Sequence, residues 1–418
     1  MSERGMSERG MSERGMSERN TDVDEVIVAG GGPTGLTVAA ALAHRGVPVT
    51  VLEAAPALST EWRASTFHPP TLELLKELDV VDEMVSRGLV ADKYQIRDRV
   101  DGLIAEFDLS VLAEDTEFPF RLQLEQYKFA EMLAERMERH PLCTIHYGHS
   151  VESVEDDGDV VTVTARLADG TPVTRRARYV IGADGARSAV RKSLRIPFSG
   201  HTYPVRFLIL STTSDFAKVM PDICYVNYIW DPVEPMMLLR IPDVWRVLFS
   251  IGPDEQEGDL LEPESLRRRV AQVTPERGFD VLSAQYYSVH QRVADTFRSG
   301  RVLLIGDAAH VNSPVGGLGL NSGVHDAFDL AIRLARHLRD GAAPEILDEY
   351  ASRRREIALE FVRRVTHRNT TMMIEQQAEA REKNRREMRA IAESPERQRE
   401  WLLESSMISG VRMASIGH

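Results

Sequence analysis

The chain has 418 residues, a formal net charge of −13, 43% hydrophobic residues and 28% charged residues. That length allows two or three packed domains, and the composition is that of an ordinary soluble globular protein. The acidic balance argues against nucleic acid as a partner, no apolar run reaches membrane-spanning length, and two cysteines, Cys143 and Cys224, supply neither a disulfide framework nor a metal cluster, which fits a reducing, cytoplasmic setting.

Residues 1–15 are three copies of MSERG, and the next block reads MSERN. Residues 1–20 therefore read as an added or duplicated start, with Met16 as the expected natural first residue, and carry no fold. No secretory signal precedes the first strand.

The stretch from Val26 to Ala54 then reads as strand, glycine turn, helix, strand and acid. Four apolar residues run into Gly30, Gly31 and Gly32, followed by Pro33, Thr34 and Gly35 and an alanine-rich helical segment to about His44. Gly30, Gly32 and Gly35 suit three tasks: a tight turn, close backbone approach to a pyrophosphate, and close packing of helix on strand. Glu53, about 20 residues on, ends the second strand where a carboxylate accepts from a ribose hydroxyl. The unit predicts an adenine dinucleotide site, with the phosphates at the helix start.

After a loop carrying Arg63, placed to fork onto a phosphate, Leu72, Leu74, Leu75, Leu78 and Val81 form a helical stripe. Residues 93–109 alternate as strands. The segment from Phe120 begins as a strand and continues as an amphipathic helix with Phe129, Met132, Leu133 and Met137 on one face. From Thr144 to Ile181 the pattern predicts a small antiparallel meander, turned at Asp157-Gly158 and Asp169-Gly170, that returns as YVIGADG and a short helix. Residues 196–290 are rich in Tyr, Trp, Phe, Met and Pro and predict a separate, mostly antiparallel sheet with one helix around Pro263–Val273, a setting suited to a flat organic ligand.

RVLLIGDAAH then brings back the strand-and-glycine pattern of the chain's beginning. A buried strand ends in Gly306-Asp307, a loop with Pro314, Gly316, Gly317 and Gly319 follows, and a helix is expected from about Asn321. From Pro344 onward arginines alternate with glutamates, which predicts helices with a solvated, salt-bridged face.

GGGPTG with Glu53, YVIGADGARSAVR, and RVLLIGDAAHVNSPVGGLGLNSGVHDAFDL together resemble the single-component FAD-dependent aromatic hydroxylases of the para-hydroxybenzoate hydroxylase fold group, over about residues 23–350. The implied fold is α/β (α+β). A Rossmann-type FAD-binding domain is assembled from 21–92, 121–195 and 291–343, a mostly antiparallel β-sheet substrate domain from 93–120 and 196–290 is inserted into it, and 344–418 form C-terminal helices. The implied cofactor set is Gly30, Gly32, Pro33, Thr34, Gly35, Glu53 and Ala54 around the ADP part, Arg63 on the phosphates, Gln126 and Val151, Asp184, and Gly306 with Asp307 on the ribityl chain. Gly317, Gly319, Leu320 and Asn321 bring backbone amides to the flavin ring, and Pro314 lies beside both ring and substrate. Asp184 and Asp307 each also suit a simple helix-capping role.

The resemblance implies hydroxylation of a phenolic, hydroxypyridine or polyketide-like ring with NAD(P)H and O2 through a C4a-hydroperoxyflavin. Candidate proton partners or anchors in the substrate domain are His201, Tyr203, Arg206, Tyr225, Tyr228 and Arg240, with no choice among them. A reductase or dehydrogenase, a halogenase, and a flavoprotein that only sequesters an aromatic compound stay open as alternatives, although the Trp-x-Trp-x-Ile-Pro helix of the halogenases is missing and Trp230 and Trp245 stand in other contexts. No metal and no membrane insertion are expected, and a homo-oligomer is left open.

Overall fold

A computed structural model describes residues 23–62, 64–252, 255, 257–274 and 279–414. The MSERG repeats and Arg63 lie outside the described residues. Two eight-stranded sheets hold most of the strands.

In the first sheet, five strands run parallel in the spatial order Val302–Leu304, Pro172–Gly182, Val23–Ala29, Val49–Leu52 and Cys143–His146. Val302–Leu304 and the stretches Val26–Ala29 and Tyr179–Gly182 are continuous, fully buried runs, because helices cover both faces of a parallel sheet. Their register decides where the chemistry collects. Ala29 is level with Gly182 and Leu52, and Gly182 is level with Leu304. The residues just beyond, Gly30, Glu53, Asp184 and Gly306, therefore gather along the carboxyl edge, where open α/β sheets hold ligands. The expected meander is present as His149–Asp156, Val161–Leu167 and the start of Pro172–Gly182, paired antiparallel.

The second sheet runs in the order His310–Val311, Val281–Ala294, Phe198–Thr212, Trp245–Ile251, Met236–Arg240, Val226–Trp230, Lys93–Asp98 and Gly102–Asp108. Its neighbours are antiparallel except Val226–Trp230 against Lys93–Asp98. A small third sheet of Thr66–Phe67, Arg121–Gln123 and Leu89–Ala91 completes the strands. Alternation along Arg121–Gln123 sends Leu122 into the main core and Arg121 the other way.

Helix Pro33–His44 packs on the long helix Leu318–Asp340 through small residues. A Cβ on Gly323 would fall 2.5 Å from Thr34 Oγ1. Three expectations need correction. The stripe from Leu72 to Val81 is two helices, Pro69–Leu75 and Val81–Arg87, because the chain tightens at Lys76–Leu78 and Asp79 turns left-handed at φ 54°. The long helix starts at Leu318 rather than about Asn321, since Gly316 and Gly317, at φ 109° and 72°, complete the turn earlier. The C-terminal helices are not only a solvated face: Met388, Ile391 and Leu402 of Ala378–Ala392 and Pro395–Ser405 are buried in the same core as Tyr94 and Phe107.

Candidate active site

The first glycine loop is shaped by contacts that exclude side chains at some positions and by open space at another. A Cβ on Gly35 would lie 2.0 Å from the Gly30 carbonyl oxygen, and one on Gly30, at φ 105°, would lie 2.5 Å from the Ala183 carbonyl oxygen. Gly32 differs, for a Cβ there meets nothing within 4 Å. That space opens in front of helix Pro33–His44, whose start has no side-chain cap. Its first amides are directed at the space with no intrahelical acceptor. Glu53 closes the loop from the side: Oε2 accepts from the Gly31 amide at 2.6 Å and Oε1 from the Ala55 amide at 2.8 Å. Ala54 beside it is exposed.

Asp184 does cap a helix. Its Oδ2 accepts from the amides of Ala189 and Val190 at 2.7 and 3.1 Å, at the start of Ala189–Ser193. Its Oδ1 is buried with no partner, which leaves an acceptor for a ligand hydroxyl. Asp307 is exposed in the tight turn Gly306–Ala308. Arg191 ties the two acidic motifs together by donating to the Ala308 and Ala186 carbonyls at 2.7 and 2.9 Å. Beneath the turn, buried Asp326 accepts from the Gly306 amide at 3.0 Å, from Arg354 Nε at 2.6 Å and pairs with His310 Nε2 at 2.7 Å. Burial pushes the Asp326 carboxyl up, but Arg354 and His310 outweigh it and hold the group down at about 2.

The third motif surrounds the start of helix Leu318–Asp340, which also lacks a side-chain cap. Gly317 donates its amide to the Pro314 carbonyl at 2.9 Å. Asn321 is a fastener: Oδ1 accepts from the His68 amide at 2.8 Å, and Nδ2 donates to the Thr66 and Gly317 carbonyls at 2.8 and 2.6 Å. The free amides at this end belong to Leu318, Gly319 and Leu320. Gln126 opens helix Gln126–Glu138 and donates its amide to Ala64. Val151 is half-buried in strand His149–Asp156, whose first residue donates its amide to the Glu53 carbonyl at 2.8 Å.

Next to this helix start lies a partly open cavity. Tyr94, Tyr228, Trp230 and Trp401 supply aromatic walls, Met372, Met373 and Met388 fill the ends, Arg121 enters from the third sheet, and Val315 and Gly316 form the side toward the long helix. Trp401 Nε1 donates to the Tyr94 hydroxyl at 2.5 Å. Gly316 also accepts at its carbonyl from His68 Nε2 at 2.9 Å, which fixes the protonated nitrogen.

Of the substrate-side candidates, Tyr228 lines the cavity, and Pro314 directly precedes the lining residue Val315. The other five are engaged elsewhere. Tyr203 pairs with His367 at 2.8 Å, and His201 stacks edge-on with Tyr203. Arg206 donates to the carbonyls of Gly252 and Glu255. Arg240 reaches the Pro242 carbonyl at 3.3 Å, and Tyr225 is 42% exposed. Sequence reasoning missed Tyr94, Arg121 and Trp401. Arg121 stood in a strand entry read only for its helix, and Trp401 in a run read for its charges.

The model of the FAD binding domain family matches residues 23–365. The chain belongs to that family. It is 33% identical over 395 residues to para-nitrophenol 4-monooxygenase of a Pseudomonas species, across 94% of this chain and 97% of that protein. It is 37% identical over 346 residues to 6-hydroxy-3-succinoylpyridine 3-monooxygenase of Pseudomonas putida, across 81% and 86%. The solved structure of p-nitrophenol 4-monooxygenase from Pseudomonas putida superposes with a TM-score of 0.87 at 32% identity, covering 95% of this chain and 99% of that one. No helix of the described residues is long and apolar enough to cross a membrane, and no metal-binding cluster of His, Cys, Asp or Glu occurs among them.

Proposed function

We propose that this protein is an FAD-dependent monooxygenase that hydroxylates a small aromatic ring, with NAD(P)H as reductant and O2 as the source of oxygen. One observation carries the reading: the aromatic cavity is bounded by Val315 and Gly316, which lead into the uncapped helix start at Leu318. A cofactor ring at that helix start and a substrate ring in the cavity are then neighbours.

FAD fits the residues present. The open side of Gly32 and the amides of helix Pro33–His44 take the pyrophosphate. Glu53 retains lone pairs for the adenosine ribose, and the unpartnered Oδ1 of Asp184 accepts from a further hydroxyl. Gly306 and Asp307, in the tight turn beside Arg191, would hold the sugar chain of the flavin. The amides of Leu318, Gly319 and Leu320, with the positive end of a 23-residue helix behind them, favour negative charge on the reduced ring. Bound there, FAD supplies the transfer of electrons from NAD(P)H and the activation of O2. The chain's own part is to hold the substrate between Tyr94, Tyr228 and Trp401 and to keep water out with Val315 and the three methionines. The relatives act, by their names, on a nitrophenol and a hydroxypyridine, which supports a single ring bearing an activating oxygen.

The test is turnover of the flavin-loaded protein with NADH or NADPH and a panel of phenols and hydroxypyridines under isotope-labelled O2. Substrate-stimulated oxidation of the nicotinamide, with label in the product, is expected. Product formed equally well without O2, or a protein that takes up no flavin, overturns the proposal.

A further inference from the structure

Arg121 brings a positive charge into the aromatic cavity and meets no carboxylate there. The residue is 2% exposed. Nη1 donates to the Tyr228 hydroxyl at 3.2 Å, the guanidinium carbon lies 4.3 Å from the Tyr94 ring centre, and Nε is buried with no partner. Two other buried arginines are compensated by carboxylates, Arg354 by Asp326 at 2.6 Å and Arg333 by Asp329 at 2.7 Å, while Arg191, outside the cavity, is held by two backbone carbonyls. Among the described residues Arg121 has no such pair. A hydroxyl and an aromatic face offset only part of the cost of taking a charge out of water.

The groups around it do not supply the missing charge. They are Tyr94 from Lys93–Asp98, Tyr228 from Val226–Trp230, His68 ahead of Pro69–Leu75, and Trp401 and Ser405 from Pro395–Ser405. Burial pushes the Tyr94 phenol up to about 12. Burial first, and then Arg121 itself, hold the His68 imidazole well below its ordinary value. Both stay uncharged at neutral pH.

We infer that Arg121 is the counter-ion of the substrate: a single ring enters the cavity as an anion, with a phenolate or equivalent ring-borne oxyanion on the guanidinium and the Tyr228 hydroxyl. The planar fork of an arginine suits such an oxygen, and the Tyr94 and Trp401 rings suit the carbon frame. This inference rests on the cavity being the substrate site.

The test is equilibrium binding to the flavin-loaded protein above the pKa of 4-nitrophenol, followed by the flavin spectrum. The probes are 4-nitrophenolate and its uncharged ether, 4-nitroanisole. Wild type is expected to prefer the anion by about tenfold or more. Arg121→Met should lose that preference with flavin content and circular dichroism unchanged, and Arg121→Lys should keep part of it. Equal binding of the two probes by wild type, or a preference retained in Arg121→Met, overturns the inference. If Arg121→Met does not fold, the wild-type comparison decides. Anion preference without hydroxylation sinks the monooxygenase reading and leaves the counter-ion; hydroxylation without anion preference does the reverse.

Discussion

Two glycines three residues apart separate packing from binding. Gly35→Ala puts a methyl 2.0 Å from the Gly30 carbonyl oxygen, so helix and strand must part. A loss of about 1–3 kcal/mol or more is expected in urea unfolding, with loss of bound flavin. Gly32→Ala should unfold like wild type, because its backbone is extended and nothing lies within 4 Å of the new methyl. It should still weaken flavin binding, measured by titration of the flavin-free protein; unchanged affinity would mean that the open space serves something else. Asp326 makes the opposite case, that of a charge which cannot be removed alone. Asp326→Asn leaves Arg354, 1% exposed, without its counter-ion, and a loss of about 3–5 kcal/mol is expected. At this scale the sequence was informative where backbone geometry compels a glycine. It was silent on Asp326, whose partners Arg354 and His310 lie 28 and 16 residues away and are set by packing.

The helix Leu318–Asp340 joins the cofactor end of the molecule to its core, and it makes the fold sensitive to acid. His325 on this helix is buried and pairs with the Thr71 hydroxyl at 2.9 Å. Burial, and then Arg354, push its imidazole down to about 3. His68, tied to the same helix through Asn321, is depressed for similar reasons. Both imidazoles take up protons readily in the unfolded chain near pH 6.5 and resist them when folded. Stability is therefore complete above about pH 6.5 and falls as the pH drops toward the folded values. Urea midpoints should decline already between about pH 6.5 and about pH 5, before ordinary carboxylates titrate. His325→Asn should flatten that decline; an unchanged slope would sink the assignment. The helix itself was legible from its pattern, but its start was placed about three residues late, because Gly319 reads in sequence as part of the glycine-rich loop and lies in the structure inside the first turn. The Asn321 side chain binds the Thr66–His68 segment.

For the whole molecule, the parallel sheet and its carboxyl-edge motifs were legible because short-range patterns specify them: glycine turns, apolar runs, an acid at a fixed distance. The cavity was legible only in part, since its walls come from remote stretches, among them those around Tyr94, Arg121, Tyr228 and Trp401, and nothing local to any one of them reveals the others. The C-terminal helices show this most clearly. Their outer faces do carry the expected ion pairs, such as Arg399 and Arg412 on Asp115 at 2.7 and 2.9 Å. Met388 and Ile391, and then Trp401, Leu402 and Ser405, repeat at helical spacing within those charged runs and turn inward. Trp401→Ala should raise KM for a single-ring phenol about tenfold and admit bulkier rings, with flavin content unchanged in the isolated protein; the same KM would place the substrate elsewhere. Because the Trp401 side of the chamber and the two ends of the nucleotide cradle, Gly30 to Glu53 and Gly306 to Asn321, come from separate parts of the chain, the wall that selects a guest is open to variation without any change in the residues that would hold the dinucleotide.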